Sequence, residues 1–323
     1  MDNEEKNTHS HHHHHHHKHR SFWQKHKVLK WVLIVLGVFV AFDLIIFGKL
    51  FFDAKKAANA TYKEVKTEQM RNKPTLDGKK AFSVLILGTD TGEYGRTYQG
   101  RSDTLMYAAV SPAQQKTTLV SIPRDTRVSL EGYGDNNKIN AAYAYGGTKG
   151  AVNTVQKYLD VPVDYYVEMN MKGLEQLSKA VGPVKVENDL DFTNLGTHFD
   201  KGTETIDHDN ILAYTRMRYE DPRGDYGRQL RQRLVLEALV KKIASINSVT
   251  RYQEILDAIS ANMKTNLTFS DIQAIATKYR SSMDIDQVQL KGQSQMIDGG
   301  SYEVVSDSAR NKVTNQLKDA LGQ

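Results

Sequence analysis

The sequence predicts an α/β protein: a mixed central sheet flanked by helices, preceded by one N-terminal transmembrane helix. Three observations predict it. Short apolar runs stopped by Gly or Pro stand among segments of helical character, the signature of a layered domain. Strands and helices do not alternate strictly, so the sheet is expected to be mixed rather than purely parallel. Ahead of the domain, residues 31–42 are uninterrupted apolar sequence.

That apolar stretch organises the first quarter of the chain. Extended to 28–52, it is long enough as a helix for a hydrocarbon core of about 30 Å. Asp43 lies near one end, where a carboxylate can protonate or reach the interface. Lys18, Arg20, Lys25, Lys27 and Lys30 precede it, and this flank places the N-terminus in the cytoplasm and the bulk of the chain outside. A signal peptide cleaved near Ala58-Asn59-Ala60 is the competing reading. The expected organisation is a cytoplasmic His/Lys-rich tail at 1–27, a span at 28–52, a polar extracytoplasmic stalk at 53–80 and a folded domain at 81–323. The His tract at 11–17 is read as part of a solvated tail; such tracts can also bind metal.

Within the domain, 81–87 reads as a buried strand ended by Gly88. Residues 104–110 and 117–122 follow as strands, joined by the turn SPAQQK. A helix is expected at 147–159, a strand at 163–169, a helix at 172–181 ended by Gly182-Pro183, and a strand at 184–187. Helices follow at 207–217, with Asp207 or Asp209 as N-cap, and at 227–245, 252–263 and 270–279. Late strands at 288–290 and 302–305 precede a closing helix at 306–321.

Composition excludes several chemistries. The chain of 323 residues has no cysteine, hence no disulfide framework and no cysteine nucleophile. Net charge is +5, and residues 1–30 hold six basic against three acidic side chains. The remainder is too nearly balanced for a broad duplex-binding face, so no nucleic-acid partner is expected. No G-x-x-x-x-G-K-[ST] loop is present, which argues against a nucleotide.

Polar clusters follow the candidate strands, where open α/β sheets bind ligands. GTDTGEYGRTYQGRSDT (88–104) carries Asp90, Arg101 and Asp103; carboxylates beside a guanidinium can hold Mg²⁺ next to a phosphate, or form a surface ion pair. SIPRDT (121–126) adds Arg124 and Asp125. KINAAYAYGG (138–147) adds Lys138, which can reach a phosphate, and Asn140, read as a helix cap. RMRYEDPRGDYGRQLRQR (216–233) holds six arginines against three acidic residues. Arg228, Arg231 and Gln232 share one helix face, with Leu230 and Leu234 on its apolar face. A solvated face accounts for Arg231 and Arg233. It does not account for Arg216, Arg218, Arg223 and Arg228 together, which repel unless an anion is present; guanidinium matches phosphate bidentately.

These motifs, in this order through 81–245, resemble the LytR-CpsA-Psr family, which attaches cell-wall glycopolymers to peptidoglycan. Asp90 within GTD, GRSDT, SIPRDT, KINAAYAYGG, YTRMR and the D-x-G-R-x-x-R-Q of 225–232 carry the resemblance; 246–323 carries no such motif. The resemblance implies an α/β sandwich with an apolar cleft for a polyprenyl tail. It implies Mg²⁺ held by Asp90 and Asp103, with Glu93 the rival of Asp90. Arg101, Arg124, Arg216, Arg218, Arg228 and Gln232 would bind pyrophosphate, with Lys138 beside them. Asp225 would position an arginine or assist proton removal, completing a catalytic set with Arg101, Arg124 and Arg228. The implied reaction passes a glycopolymer from a polyprenyl-pyrophosphate carrier to a peptidoglycan hydroxyl, with polyprenyl phosphate leaving. A polyprenyl-pyrophosphate phosphatase and a membrane-linked transcriptional regulator are the alternatives.

Overall fold

The computed structural model describes residues 27–90, 99–245 and 249–323. The tail at 1–26 and its His tract lie outside them, as does Glu93 in the loop 91–98. The chain forms two compact units, Met1–Leu50 and Phe51–Gln323. One helix, α1 (Lys27–Thr61), contains the apolar stretch. Ten of its large apolar side chains between 36 and 52 are exposed. Among the described residues no helix is long and apolar enough to cross a membrane; the first part of the span expected at 28–52 precedes the described side chains, which begin at 36.

From Phe51 onward the chain belongs to the second unit, and 53–80 lies against it. Ala54, Ala57 and Ala58 are buried at helical spacing. Tyr62 bridges to Thr265, Arg71 Nη2 lies 2.5 Å from Asp164 Oδ2, and Leu76 packs with Phe82, Tyr165 and Tyr279.

The central sheet begins with β1 (Phe82–Thr89), β2 (Ser102–Ser111) and β3 (Lys116–Ser121), followed by a hairpin of β4 (Arg127–Leu130) and β5 (Gly134–Lys138). Then come α2 (Ala141–Leu159), β6 (Tyr165–Asn170), α3 (Met171–Val181) and β7 (Val184–Asn188). Short elements follow: β8 (Phe192–Asn194), β9 (Thr197–Phe199), β10 (Gly202–Ile206) and α4 (Ile211–Arg216). The long α5 (Asp225–Ala244) leads to α6 (Val249–Asn262), β11 (Met263–Thr265) and α7 (Phe269–Lys278). The chain ends with β12 (Ile285–Gln289), β13 (Gln293–Ile297), β14 (Gly300–Val304) and α8 (Asp307–Leu321).

Six strands pair in the order β11-β6-β1-β2-β3-β12. Strands β1, β2 and β3 are antiparallel neighbours, while β6 runs parallel to β1 and β12 parallel to β3. The sheet is mixed, as expected. Its strands alternate side chains between faces. Leu85, Leu87, Leu105, Tyr107 and Val120 pack on one face with Val155 and Leu159 of α2 and Val313 and Leu317 of α8. The other face takes Met106, Ala108 and Leu119, with Leu236 of α5 against them. A separate apolar cluster joins α3, β7, α4, α5 and α6 around Phe192, Phe199, Ile206 and Tyr214.

Helix α5 thus packs on two sides, against the sheet through Leu236 and against the second cluster through Val235 and Leu239. This corrects the solvated face expected for Arg231 and Arg233. Arg231 is 0% exposed: Nη1 donates to Asp221 Oδ2 at 2.7 Å, Nη2 to the Met217 carbonyl at 2.7 Å, and its guanidinium lies 5.0 Å from the Phe192 ring centre. Arg233 is buried too, donating to Gln287 Oε1 and Ser121 Oγ, with no carboxylate in contact among the described residues. Burial lowers its guanidinium to about 10, still a cation at neutral pH. Leu230 and Leu234 are only half-buried.

Two capping expectations also change. Asn140 precedes α2 with no side-chain cap bond, and Gly147, at φ 59°, interrupts α2, which starts at Ala141. The helix expected at 207–217 is confined to α4, because Asp207 instead accepts from the Asp209 and Asn210 backbone N–H groups in a turn.

Asp221 and Arg231 test the fold. Burial alone would raise the Asp221 carboxyl, but hydrogen bonds from Arg223 and Arg231 outweigh it and hold it at about 2. Asp221→Asn should cost about 3–5 kcal/mol, because it strands a buried guanidinium. Arg233→Met should be neutral or stabilising, since it removes a buried cation without a counter-charge. Equilibrium urea unfolding compares them, and equal losses would contradict this division. The Asp221 contribution is present above about pH 5 and fades as pH falls towards 2. The deficit of the Asn variant should shrink over that interval.

Candidate active site

The site forms where strand ends and two helix termini meet. Asp90 follows β1, and its backbone N–H approaches the Arg101 carbonyl at 3.5 Å, so the two sides of the β1–β2 connection close at Asp90 and Arg101. The register shifts between Gly88 and Thr89, and a Cβ on Gly88 would meet the Thr104 Cβ at 2.8 Å. Glycine there permits the shift that aims Arg101 and Asp103 to the same end of the sheet. Strand β3 leads through Pro123 to Arg124 and Asp125. The Ile139 and Asn140 N–H groups donate to the Thr126 and Arg124 carbonyls, which anchors the KIN segment beside that loop. The Glu303 N–H donates to the Asp125 carbonyl at 2.9 Å and brings β14 to the same place.

A pocket of about 500 Å³ opens there. Arg101, Arg124, Lys138, Arg216 and Arg218 line it, facing Asp90, Asp103 and Asp125. Five cations against three carboxylates leave a positive surplus for an anion. Arg124 is the hub: Nη1 lies 2.6 Å from Asp103 Oδ1, and Nε lies 3.7 Å from Asp125 and 3.9 Å from Asp225. Burial would lower the Arg124 guanidinium; Asp103, Asp125 and Asp225 together raise it. Lys138 Nζ pairs with Asp125 Oδ1 at 2.8 Å.

Seven of the ten expected site residues line this pocket: Asp90, Arg101, Asp103, Arg124, Lys138, Arg216 and Arg218. The other three stand behind it on α5. Arg228 Nη2 and Asp225 Oδ1 are 2.5 Å apart, and Arg228 reaches the Asp103 carbonyl at 3.5 Å. Burial pulls Arg228 below its ordinary value, with Asp225 opposing. Gln232 Nε2 is 3.5 Å from the Thr215 carbonyl. Arg228 Nε, Gln232 Oε1 and Asn140 Oδ1 are buried with no hydrogen-bond partner among the described residues, an arrangement that costs free energy unless a ligand completes it.

The structure separates the arginines of 216–233 by task. Arg223 grips Asp189 and Asp221, and Arg231 grips Asp221, so neither repels its neighbours unopposed. Arg216 and Arg218 face the pocket. Sequence reasoning assigned no site role to Asp125, Asn140 or Ser301, all of which line the pocket. Asp125 is legible as part of SIPRDT, whereas Asn140 within KINAAYAYGG reads as a helix cap. Ser301 has no sequence signal; β14 carries it in.

The chemistry this geometry permits is binding and neutralising a di-anionic or more highly charged phosphate ester. The pocket also offers oxygen donors for a hard cation. Elsewhere among the described residues, Asp191, His198 and Asp200, and Asp207, His208 and Asp209, are close enough to share an ion, all at or near the surface.

The LytR_cpsA_psr family model matches residues 44–319. A polyisoprenyl-teichoic acid–peptidoglycan teichoic acid transferase TagU from Enterococcus faecalis is 46% identical over 89% of this chain and 96% of its own length. The crystal structure of Bacillus subtilis TagU is 41% identical, with a TM-score of 0.62 over 76% of this chain and 98% of that one. The structure described as TagT bound to LIIa-WTA is 30% identical, with a TM-score of 0.67 over 80% of this chain and 100% of that one.

The pocket should bind inorganic pyrophosphate. Each charge-assisted hydrogen bond contributes about 1.5–3 kcal/mol, so Arg218→Ala should weaken binding roughly 10- to 150-fold. Its melting temperature without ligand should stay within about 2 °C of the parent, as expected for a surface substitution. Titration calorimetry beside a thermal melt checks both. Unchanged affinity would remove Arg218 from the anion site.

Proposed function

The chain belongs to the LytR-CpsA-Psr family, and from that premise we propose that it transfers a glycopolymer from a polyprenyl-pyrophosphate carrier to peptidoglycan. The observation that carries this reading is the pocket in which Arg101, Arg124, Lys138, Arg216 and Arg218 surround oxygen donors at the sheet's end. The relatives' names specify teichoic acid, and we assign the same polymer class here.

In this reading a peptidoglycan hydroxyl attacks the phosphorus joined to the glycopolymer. The new P–O bond forms as the bond to the bridging pyrophosphate oxygen breaks. Polyprenyl phosphate leaves with that oxygen, and the hydroxyl proton is released. Arg101, Arg124, Arg216 and Arg218 hold the phosphate oxygens and neutralise the charge that develops on them. Asp225 fixes Arg228 and Arg124 in position. Its carboxylate oxygens face Arg228, Arg124 and Gln229, so positioning suits it better than proton removal.

Mg²⁺ fits the donor set. Asp90 and Asp103 bring hard carboxylate oxygens into one pocket, and only Oδ1 of Asp103 is bonded to Arg124. When bound, the ion would supply further charge neutralisation on the phosphates.

Two features support a lipid carrier. Val84 and Ile86, on the central strand, are only half-buried, as is Leu236 of α5 packed with them. Central-strand residues normally lose nearly all exposure, so this apolar layer is incompletely filled, and a polyprenyl chain would complete it. The exposed apolar side chains of α1 between 36 and 52 would be covered by a bilayer, consistent with a cell-membrane anchor at 28–52, a cytoplasmic N-terminus and an outer catalytic domain.

Transfer from a lipid-linked teichoic acid to peptidoglycan, followed by product analysis, tests the reaction. Wall-linked polymer is expected; free polymer phosphate alone would indicate hydrolysis instead. Asp103→Asn should abolish most Mg²⁺ stimulation, and unchanged Mg²⁺ dependence would exclude Asp103 as a ligand. Protease added to intact protoplasts should remove the domain and spare the tail, whereas a protected domain would reverse the orientation.

A further inference from the structure

Two tyrosines outside the pocket lie stacked in the open. Tyr133 and Tyr145 have ring centres 4.1 Å apart and planes 6° from parallel, yet remain 56% and 49% exposed. Exposed aromatic surface is unfavourable in water, and this pair is held in place by several devices. Tyr133 sits at the turn between β4 and β5, flanked by Gly132 and Gly134 at positive φ. Its N–H donates to the Leu130 carbonyl, and Asn137 Nδ2 donates to the Tyr133 carbonyl at 2.8 Å. Tyr145 lies just before the Gly147 interruption of α2. That break takes helix donors from the Tyr143 and Ala144 carbonyls, and the Gln99 side-chain amide donates to both instead.

These anchors tie the pair to the pocket. Gln99 stands two residues before Arg101, Lys138 ends the strand that begins after Tyr133, and Asn140 immediately precedes the helix that carries Tyr145. Arg101, Lys138 and Asn140 all line the pocket. From Asn140 to Tyr145 a helix rises about 8 Å, comparable to a sugar residue and its linkage.

A flat, pre-oriented aromatic surface beside a phosphate pocket suits the C–H face of a pyranose, which packs on an aromatic ring while its hydroxyls remain in water. We propose that Tyr133 and Tyr145 form the platform that receives the acceptor glycan strand and presents its hydroxyl to the pocket. The proposal rests on the transferase reading and adds its acceptor subsite. The sugars of the donor polymer share this chemistry, and the test separates the two.

Full-length protein in detergent is titrated with the soluble peptidoglycan tetrasaccharide of alternating N-acetylglucosamine and N-acetylmuramic acid, and separately with pyrophosphate and with a soluble teichoic acid fragment. Wild-type protein should bind the tetrasaccharide, and Tyr145→Ala should weaken it about tenfold, the scale of one lost aromatic contact. Pyrophosphate affinity should not move. Tyr145→Leu keeps apolar contact without an aromatic face and should show the same loss, which separates stacking from any packing defect. In the transfer assay the acceptor KM should rise in both variants while donor KM holds. The platform is overturned if wild-type protein does not bind the tetrasaccharide, if both variants bind it normally, or if they lose the teichoic acid fragment instead. Failure of the transferase reading would look different: no pyrophosphate binding, or no polymer transfer by the wild type.

Discussion

Arg124 lies within 4 Å of three carboxylates, Asp103, Asp125 and Asp225, and that cluster ties the site together. Asp103 belongs to β2, Asp125 to the loop after β3, and Asp225 to the first turn of α5. Asp125 in turn pairs with Lys138 at the end of β5, and Asp225 with Arg228. A guanidinium has five donors in a planar fork, so one side chain can engage acceptors on different elements. Partial burial strengthens each contact relative to a surface ion pair. The result is a set of arginines already oriented before any phosphate arrives. Each arginine otherwise repels its neighbours, and the carboxylates reduce that repulsion while leaving the pocket a positive surplus.

The same balance explains why the arginine-rich segment was only partly legible. Counting charge along 216–233 finds six cations and three acids, and the count implies an anion site. It cannot say which cation faces it. Asp189 and Asp221, one outside the segment and one inside, neutralise Arg223 and Arg231. Helical spacing placed Arg228, Arg231 and Gln232 on one face, but spacing gives direction, not burial. Since α5 is packed on two sides, residues assigned to a wet face are enclosed, Arg231 and Arg233 among them. Conversely Leu230 and Leu234, expected on the packed face, are half-buried, and the side chain that α5 sets against the sheet is Leu236.

Elsewhere legibility followed length. Strands β1, β2 and β3 and helices α3, α7 and α8 fall within about three residues of their expected places, because each has a continuous apolar pattern and a Gly, Pro or cap at its end. The hairpins β4–β5 and β8–β9 were not foreseen. Their strands span three to five residues, and each offers at most two apolar side chains, too few to establish a period. Such strands exist because tertiary contacts hold them, as Tyr302 Oη does by donating to the Asn136 carbonyl. The motif residues were readable because they follow long strands directly. Ser301 was not, because tertiary contacts, among them the bridge between Thr126 and Glu303, put its strand beside the pocket.

The sheet's two faces differ in a way that bears on substrate geometry. Toward α2 and α8 the layer is filled, with Leu85, Leu87, Tyr107 and Val120 almost fully buried. Toward α5 the middle of β1 keeps Val84 and Ile86 half-buried. The polar pocket sits at the end of both layers. On the transferase reading, the α5 side is the less filled layer among the described residues and suits a long apolar tail, while the α2 side ends in Asn140 and the two stacked tyrosines. A phosphate held at the strand ends would therefore have its lipid directed under α5 and its attacking hydroxyl delivered past the start of α2. Opposed approach of leaving group and nucleophile is what in-line displacement at phosphorus requires. A filled layer on one side and a partly open one on the other would impose that direction through packing alone.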